Sequence, residues 1–372
     1  MTRHTTSAAL VVGTLLAVVP GRVLAHVRYV TPSEGAGRAA ELLGAVASDP
    51  LALALLGGGG IGAVAAGAGW LSYRPLRADL AVLRTMLESY DDLVPWLARL
   101  AIGLPMVGAG FTGYLFSPAA TADLLGLPGP LIRLYGIGVG FLLVFGFATR
   151  LAALAGLVGY VVGLAFSPAL LLALEYVPGF LAILVLGGGR PSADDVFARL
   201  SAAEGTAYQR FDPVRESLAP LGERLATRAD LVPVIVRVGL GASFVYLGLV
   251  QKLFMPGQAL GVVAKYDLTA VVPVSPELWV VGAGLTEMAL GVALALGLFT
   301  RAGCGVAIAM FTTTLFGLPD DPVMAHVSLF GLVSVLVITG GGAYSVDRWL
   351  AEQFGSTGAT ERTGAESTPM AD

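Results

Sequence analysis

The sequence predicts an all-α fold: a polytopic bundle of transmembrane helices, built from two tandem, parallel four-helix units with one further span ahead of them. Three observations predict it. Hydrophobic residues make up 56% of the chain and charged residues 13%. A soluble domain carries about 25% charged residues, so this chain has too few to cover a water-facing surface. The apolar residues gather into nine runs after the N-terminal segment, several of them near the roughly 20 residues a helix needs to cross hydrocarbon. Finally, a set of landmarks in the first half returns in the same order in the second.

The elements follow in chain order. Residues 1–25 read as a secretory signal peptide: Arg3 is the basic start, Ala8–Val19 the apolar stretch and Val23-Leu24-Ala25 a small-residue cleavage site. An uncleaved anchor is the rival reading, but the apolar stretch is short for a span. Residues 26–95 hold the extra transmembrane helix, about 51–73. They also hold an amphipathic helix within Pro75–Leu93, where Leu76, Leu80, Leu83 and Leu87 share a face opposite Arg77, Arg84 and Glu88. Residues 96–189 form the first four-helix unit, with spans near 96–116, 131–148, 151–167 and 170–187. A charged linker, 190–231, leads to the second unit, 232–350, with spans near 232–252, 278–298, 302–318 and 325–343. The tail, 351–372, is rich in Gly, Ser, Thr and Glu, a composition that buries too little apolar surface to fold.

Arginine sets the orientation. Arg74, Arg77 and Arg84 follow the first span. Arg190, Arg199, Arg210, Arg215, Arg224 and Arg228 fill the linker, and Arg150 and Arg301 sit in tight turns. Counting helices puts all of these on one side, which the positive-inside rule makes cytoplasmic. The expected location is the cell membrane, multi-pass, with the linker and the C-terminus in the cytoplasm.

The repeat rests on three matches. Arg99–Pro118, RLAIGLPMVGAGFTGYLFSP, aligns without gaps to Arg237–Pro256, RVGLGASFVYLGLVQKLFMP. FGFATR, ending at Arg150, answers LGLFTR, ending at Arg301. GGGRPSADD at 187–195 answers GGGAYSVDR at 340–348, so Ser192 and Asp194 correspond to Ser345 and Asp347. Each unit has an even number of spans, so the copies point the same way and are parallel repeats.

Several functions are excluded or unsupported. The net charge of −4 gives no basic field for nucleic acid. A single cysteine, Cys304, excludes an intrachain disulfide and a CxxC pair. The sequence has no P-loop, no GxGxxG following a strand, no Ser-His-Asp signature and no zinc spacing, so no metal site is expected. Only His4, His26 and His326 are present. His26, the N-terminus after cleavage at Ala25, is a minor candidate for copper chelation.

The landmarks of the second unit resemble the DoxX family, which includes the DoxD-type subunit of thiosulfate:quinone oxidoreductase. The residues are Arg237, GLVQKLFMP with Lys252 and Pro256, Glu287 in TEMALGVALALGLFTR, and GGGAYSVDRW. The resemblance covers about 232–350 well and 96–200 loosely. It implies the four-helix fold and, for some members, a redox subunit that works with quinone. In the first unit Tyr114 stands where Lys252 stands, and Gly136 where Glu287 stands.

Ionisable groups within the bilayer are costly and mark either function or a structural pair. Glu287 lies about ten residues into its span. Lys252 ends its span at the outer face and is within reach of Glu287, or snorkels to the headgroups. His326 begins the last span at the same face, and histidine is the residue type suited to a proton relay. These three are the candidate catalytic residues, handling protons or a substrate anion. Arg237, Arg301 and Asp347 fall at the inner face of the second unit, as Arg99, Arg150 and Asp194 do in the first. The expectation is an Arg–Asp ion pair closing each bundle, with Arg133 pairing Glu175 near the outer face of the first. The leading reading is a quinone-linked membrane subunit of a redox complex, with quinone as the cofactor and any metal or flavin on a partner subunit. A non-enzymatic scaffold or assembly factor stands close to it, and a small-molecule transporter behind both.

Overall fold

The computed structural model describes residues 39–206, 208, 213–319 and 323–355. The proposed signal peptide and His26 lie outside the described residues, as does most of the tail. Among the described residues the regular structure is helical, without a strand.

Two helices precede the first unit: α1, Ala39–Ala47, and α2, Pro50–Tyr73. Asp49 caps α2 by accepting from the Leu51 N–H, with Pro50 at the first helical position. Both choices suit a helix start, where the N–H groups have no intrahelical partner. A short helix, α3, Arg77–Glu88, lies beyond α2 with no buried residue. The first unit is α4 (Val94–Thr112), α5 (Gly129–Phe145), α6 (Thr149–Phe166) and α7 (Tyr176–Leu186). The linker carries α8, Ala193–Ala202, and α9, Pro213–Ala226. The second unit begins with α10, Val232–Tyr246, which continues as a π-helical stretch, Leu247–Phe254. It then has α11 (Pro256–Lys265), α12 (Pro276–Leu296), α13 (Thr300–Gly317) and α14 (Val323–Thr339), and α15 (Val346–Gly355) follows.

Five helical segments are long and apolar enough to cross a membrane: Pro50–Tyr73, Asp91–Thr112, Thr149–Phe166, Ala229–Phe254 and Pro276–Leu296. α5, α7 and α14 are apolar but shorter. The expected span at 170–187 is split. Its first part is a 3-10 helix, Pro168–Ala173, and only Tyr176–Leu186 is α-helical.

The units dock reciprocally. The first helix of each packs on the last helix of the other: α4 on α14 and α10 on α7. Small residues make this possible. A Cβ placed on Gly331 of α14 would sit 2.3 Å from Ala101 Cβ, and one on Gly239 of α10 would sit 2.3 Å from Pro178 Cγ. In lipid, where apolar surface gives no association force, such close backbone approach is what holds helices together. Ala101 and Gly239 fall at matching positions when the two sequence segments are aligned, as do Pro178 and Gly331, so the two contacts correspond. One continuous core, including Ile102, Phe180, Leu240, Phe244 and Leu332, runs through both units.

Each bundle is closed at its arginine end, but not by the Arg–Asp ion pair that the sequence leads one to expect. Arg99 donates to Leu143 O and Val144 O (both 3.1 Å) and to Pro191 O. Arg237 donates to Ala295 O and, at 3.3 and 2.9 Å, to Ala343 O and Tyr344 O. Arg150 binds Leu184 O (2.9 Å), as Arg301 binds Val337 O (2.9 Å). The aspartates work at the other kind of helix end. Asp194 accepts from Ala148 N (2.7 Å) and Thr149 N (2.9 Å), and Asp347 from Phe299 N (2.7 Å) and Thr300 N (2.8 Å). The reason is local. Helix C-termini leave carbonyls unbonded and N-termini leave N–H groups unbonded. Cations suit the first and carboxylates the second. In a dry interface these backbone groups take the side chains that would otherwise pair with each other. The closing contacts of the first bundle extend to Asp194, past residue 189. Arg150 also donates to Gly222 O (3.1 Å), which fastens the linker helix α9 to the bundle.

Candidate functional site in the second bundle

Lys252 and Glu287 come together between α10 and α12. Lys252 sits on the π-helical stretch, where the helix widens by one residue per turn, a feature that often marks functional positions. Gly248 on the same stretch lets α12 approach so closely that an added Cβ would be 2.5 Å from Gly284 O. Lys252 stands about one turn further along. Glu287 is eleven residues into the 21-residue α12, about 16 Å along its axis at 1.5 Å per residue, and so near its middle. Lys252 Nζ lies 2.7 Å from both Glu287 Oε1 and Glu287 Oε2. The two side chains are 19% and 14% exposed. Lys252 is therefore turned into the bundle and bound to Glu287, instead of reaching for the headgroups. Each charge satisfies the other, which is the condition for keeping both ionised away from bulk water.

The first bundle has a different arrangement in the same place. α4 ends at Thr112, and Gly113 takes a left-handed conformation with φ of 93° that its lack of Cβ permits. Gln251 is the aligned residue of the second unit, and there the helix continues as the π stretch. Tyr114 then turns away to form an isolated bridge with Thr121. Gly136, where the second unit has Glu287, packs directly on Gly110: an added Cβ would lie 3.0 Å from Gly110 Cα. A carboxylate has no room there.

His326 lies in α14, 7% exposed, with its ring edge-on to Phe311 at 6.2 Å. Phe311 also packs on Phe244 and Phe330. The structure thus joins Lys252 to Glu287 and seats His326 in an aromatic part of the core.

Glu175 does not pair with Arg133. Arg133 donates to Phe111 O, where α4 ends, while Glu175 Oε1 accepts from Ser328 Oγ at 3.1 Å. Both Glu175 and Ser328 are buried, at 5% and 1% exposure. They are aligned residues, each twelve before the first glycine of its Gly-Gly-Gly. They meet where the two units face each other, beside a cleft lined by Pro105, Tyr114, Ser117 and Met324. That equal register was the signal in the sequence. It needed only the docking of the two units to bring the pair together.

The family model described as DoxX matches residues 232–320. Residues 232–320 are a DoxX domain. The DoxX domain holds α10 to α13 with both Lys252 and Glu287, while His326 and Asp347 lie beyond the matched residues. The chain is accordingly an integral membrane protein with several helices able to cross the bilayer. Comparison with curated proteins and with solved structures gave no match.

Proposed function

We propose that the chain is a quinone-linked membrane subunit of a redox complex that oxidises a sulfur compound, with Lys252 and Glu287 handling protons. The observation that carries this reading is the Lys252–Glu287 pair itself. Glu287 lies near the middle of its span and Lys252 near the end of its own; the pair belongs to the DoxX domain alone and keeps part of each side chain accessible. Charges at that depth are costly and mark a path for protons or a substrate anion more often than they serve packing alone. Quinone reduction takes up two electrons and two protons. In this reading the electrons come from a partner subunit carrying a metal or flavin, and the protons pass through Glu287 while Lys252 holds the charge left behind. The arginine distribution supports placing the linker and C-terminus in the cytoplasm of a cell-membrane protein. The matched clasps and matched inter-unit contacts support descent of both units from one duplicated bundle.

A scaffold or assembly role is the second reading. The mutual, two-oxygen pairing favours it, because such a contact also ties α10 to α12 without chemistry. Transport is weakened by the close approach of Ala101 to Gly331, which leaves no gap between the units at that level.

The test is purification of the full chain from its native membranes, followed by assay for bound quinone, co-purifying subunits and quinone reductase activity. The measurements are then repeated with Glu287→Gln. The proposal expects quinone and a redox partner with the wild type, and loss of activity in the variant. Unchanged activity in Glu287→Gln removes Glu287 from the mechanism. Absence of quinone and of any redox partner favours the scaffold.

A further inference from the structure

The end of the second bundle away from the arginines holds a second polar site, and it uses neither Lys252 nor Glu287. Gln251 on the π stretch and Gln258 on α11 are 8% and 7% exposed. The Nε2 of each is buried with no hydrogen-bond partner. Both side chains line one cleft, together with Val250, Met255 and, from the first unit, Leu172. Tyr246, one to two turns before Gln251, packs on the same Leu172 and Ala169 cluster, and its hydroxyl is also buried and unpartnered. A buried amide left without a partner is costly, because it loses its hydrogen bonds to water and gains none in return. Two such amides facing one cleft, with a third orphan group at its side, point to a missing acceptor.

The lining defines that acceptor. Leu172, Val250 and Met255 are apolar, and no lining residue is charged, so nothing would compensate an anion. Amide N–H groups donate, which calls for oxygen lone pairs. The enclosed space is small, enough for a single oxygen to enter between the amides while the rest of an amphipathic molecule stays outside in lipid. We infer that Gln251 and Gln258 together hold one carbonyl oxygen of a neutral amphipathic molecule, which enters between the DoxX domain and the 3-10 segment Pro168–Ala173 of the first unit. A quinone ring and the ester groups of a lipid share this chemistry. If the ligand is the quinone of the proposed function, the inference rests on that reading. With a lipid ester it stands alone. The first unit has Gly113 and Ala120 at the positions aligned with Gln251 and Gln258, so it offers no matching donors.

The test is native mass spectrometry of the full chain released from detergent, with organic extraction to separate quinone from lipid ester. It compares wild type, Gln251→Leu, Gln258→Leu and Leu172→Trp. The last variant fills the cleft from the opposite wall without touching either amide, and it answers the question if a glutamine variant fails to fold. Titration of each folded protein with a decyl-tailed benzoquinone and with a short-chain diacyl lipid supplies affinities. We expect one of the two probes to bind the wild type, each glutamine change to weaken it about fivefold, as loss of one hydrogen bond implies, and Leu172→Trp to displace it. A retained lipid without quinone supports this site while counting against the quinone reading. Activity lost in Glu287→Gln with the ligand still bound separates the two sites. Wild type that retains and binds neither probe, or variants that bind as well as wild type, overturn the inference and leave the cleft to water.

Discussion

Removing one partner of the Lys252–Glu287 pair is expected to cost far more than removing both. Lys252 Nζ is 2.7 Å from each carboxylate oxygen, and the side chains are 19% and 14% exposed. Breaking a buried pair by deleting one charge costs about 3–5 kcal/mol, mostly because the remaining charge is stranded. Partial exposure softens that penalty, so Lys252→Met or Glu287→Leu alone should destabilise by about 2–4 kcal/mol. Apolar replacement of both removes the stranded charge, and Lys252→Met/Glu287→Leu should fall within about 1 kcal/mol of wild type. The assay is unfolding of the four proteins in mixed micelles with increasing denaturing detergent, analysed as a double-mutant cycle. A coupling below about 0.5 kcal/mol refutes the reasoning, since the charges would then not depend on each other. The same double variant sorts the two functional readings. A stable but inactive protein makes the pair functional, and a stable, active one makes it a tie between α10 and α12.

Other consequences follow from the clasps and the interface. Asp347→Ala removes an acceptor for the N–H groups of Phe299 and Thr300 and should cost about 2–4 kcal/mol. Asp347→Asn, which keeps one oxygen, should cost roughly half of that, both measured by the same unfolding assay. Gly331→Ala should cost about 1–3 kcal/mol by overpacking, because its Cβ would lie 2.3 Å from Ala101 Cβ, and Ala101→Gly should restore part of the loss. Ser328→Ala leaves the buried Glu175 carboxyl without the Ser328 hydroxyl and should destabilise by about 1–3 kcal/mol. Adding Glu175→Leu should recover stability, and a further loss would count against the pairing. Cys304 is fully buried, so the native protein should resist maleimide until it is denatured. That makes single cysteines at Thr206 and Thr269 clean reporters of orientation, with only Thr269→Cys labelled in intact cells.

The helices were legible because they follow from averages over many residues. Nine apolar runs leave little freedom, and a single misread residue does not change them. The clasps were half legible. Arg99, Arg237, Asp194 and Asp347 stood out as charges at span ends, but the sequence does not display backbone carbonyls and N–H groups as competing partners. At a helix terminus those groups are unbonded and already in place, whereas an ion pair would also have to leave them unsatisfied. The split of the 170–187 run was hidden because a 3-10 turn and an α-helix share the same apolar composition.

The least legible feature is the one on which any chemistry depends. The residues GLVQKLF give no periodic sign of a π-helical stretch, yet the widening sets where two side chains point. It directs Lys252 at Glu287 on α12, and it leaves Gln251 facing the first unit, where Leu172 closes the second cleft. In the aligned segment of the first unit, Gly113 ends the helix and Gly136 fills the carboxylate position with backbone. The difference between the bundles is therefore geometric before it is chemical. Placing Lys252 at position 114 and Glu287 at position 136 of the first unit would not recreate the pair, because Gly136 lies against Gly110 and the supporting helical turn is missing. Transplanting the site would require the π stretch and the Gly248–Gly284 contact as well.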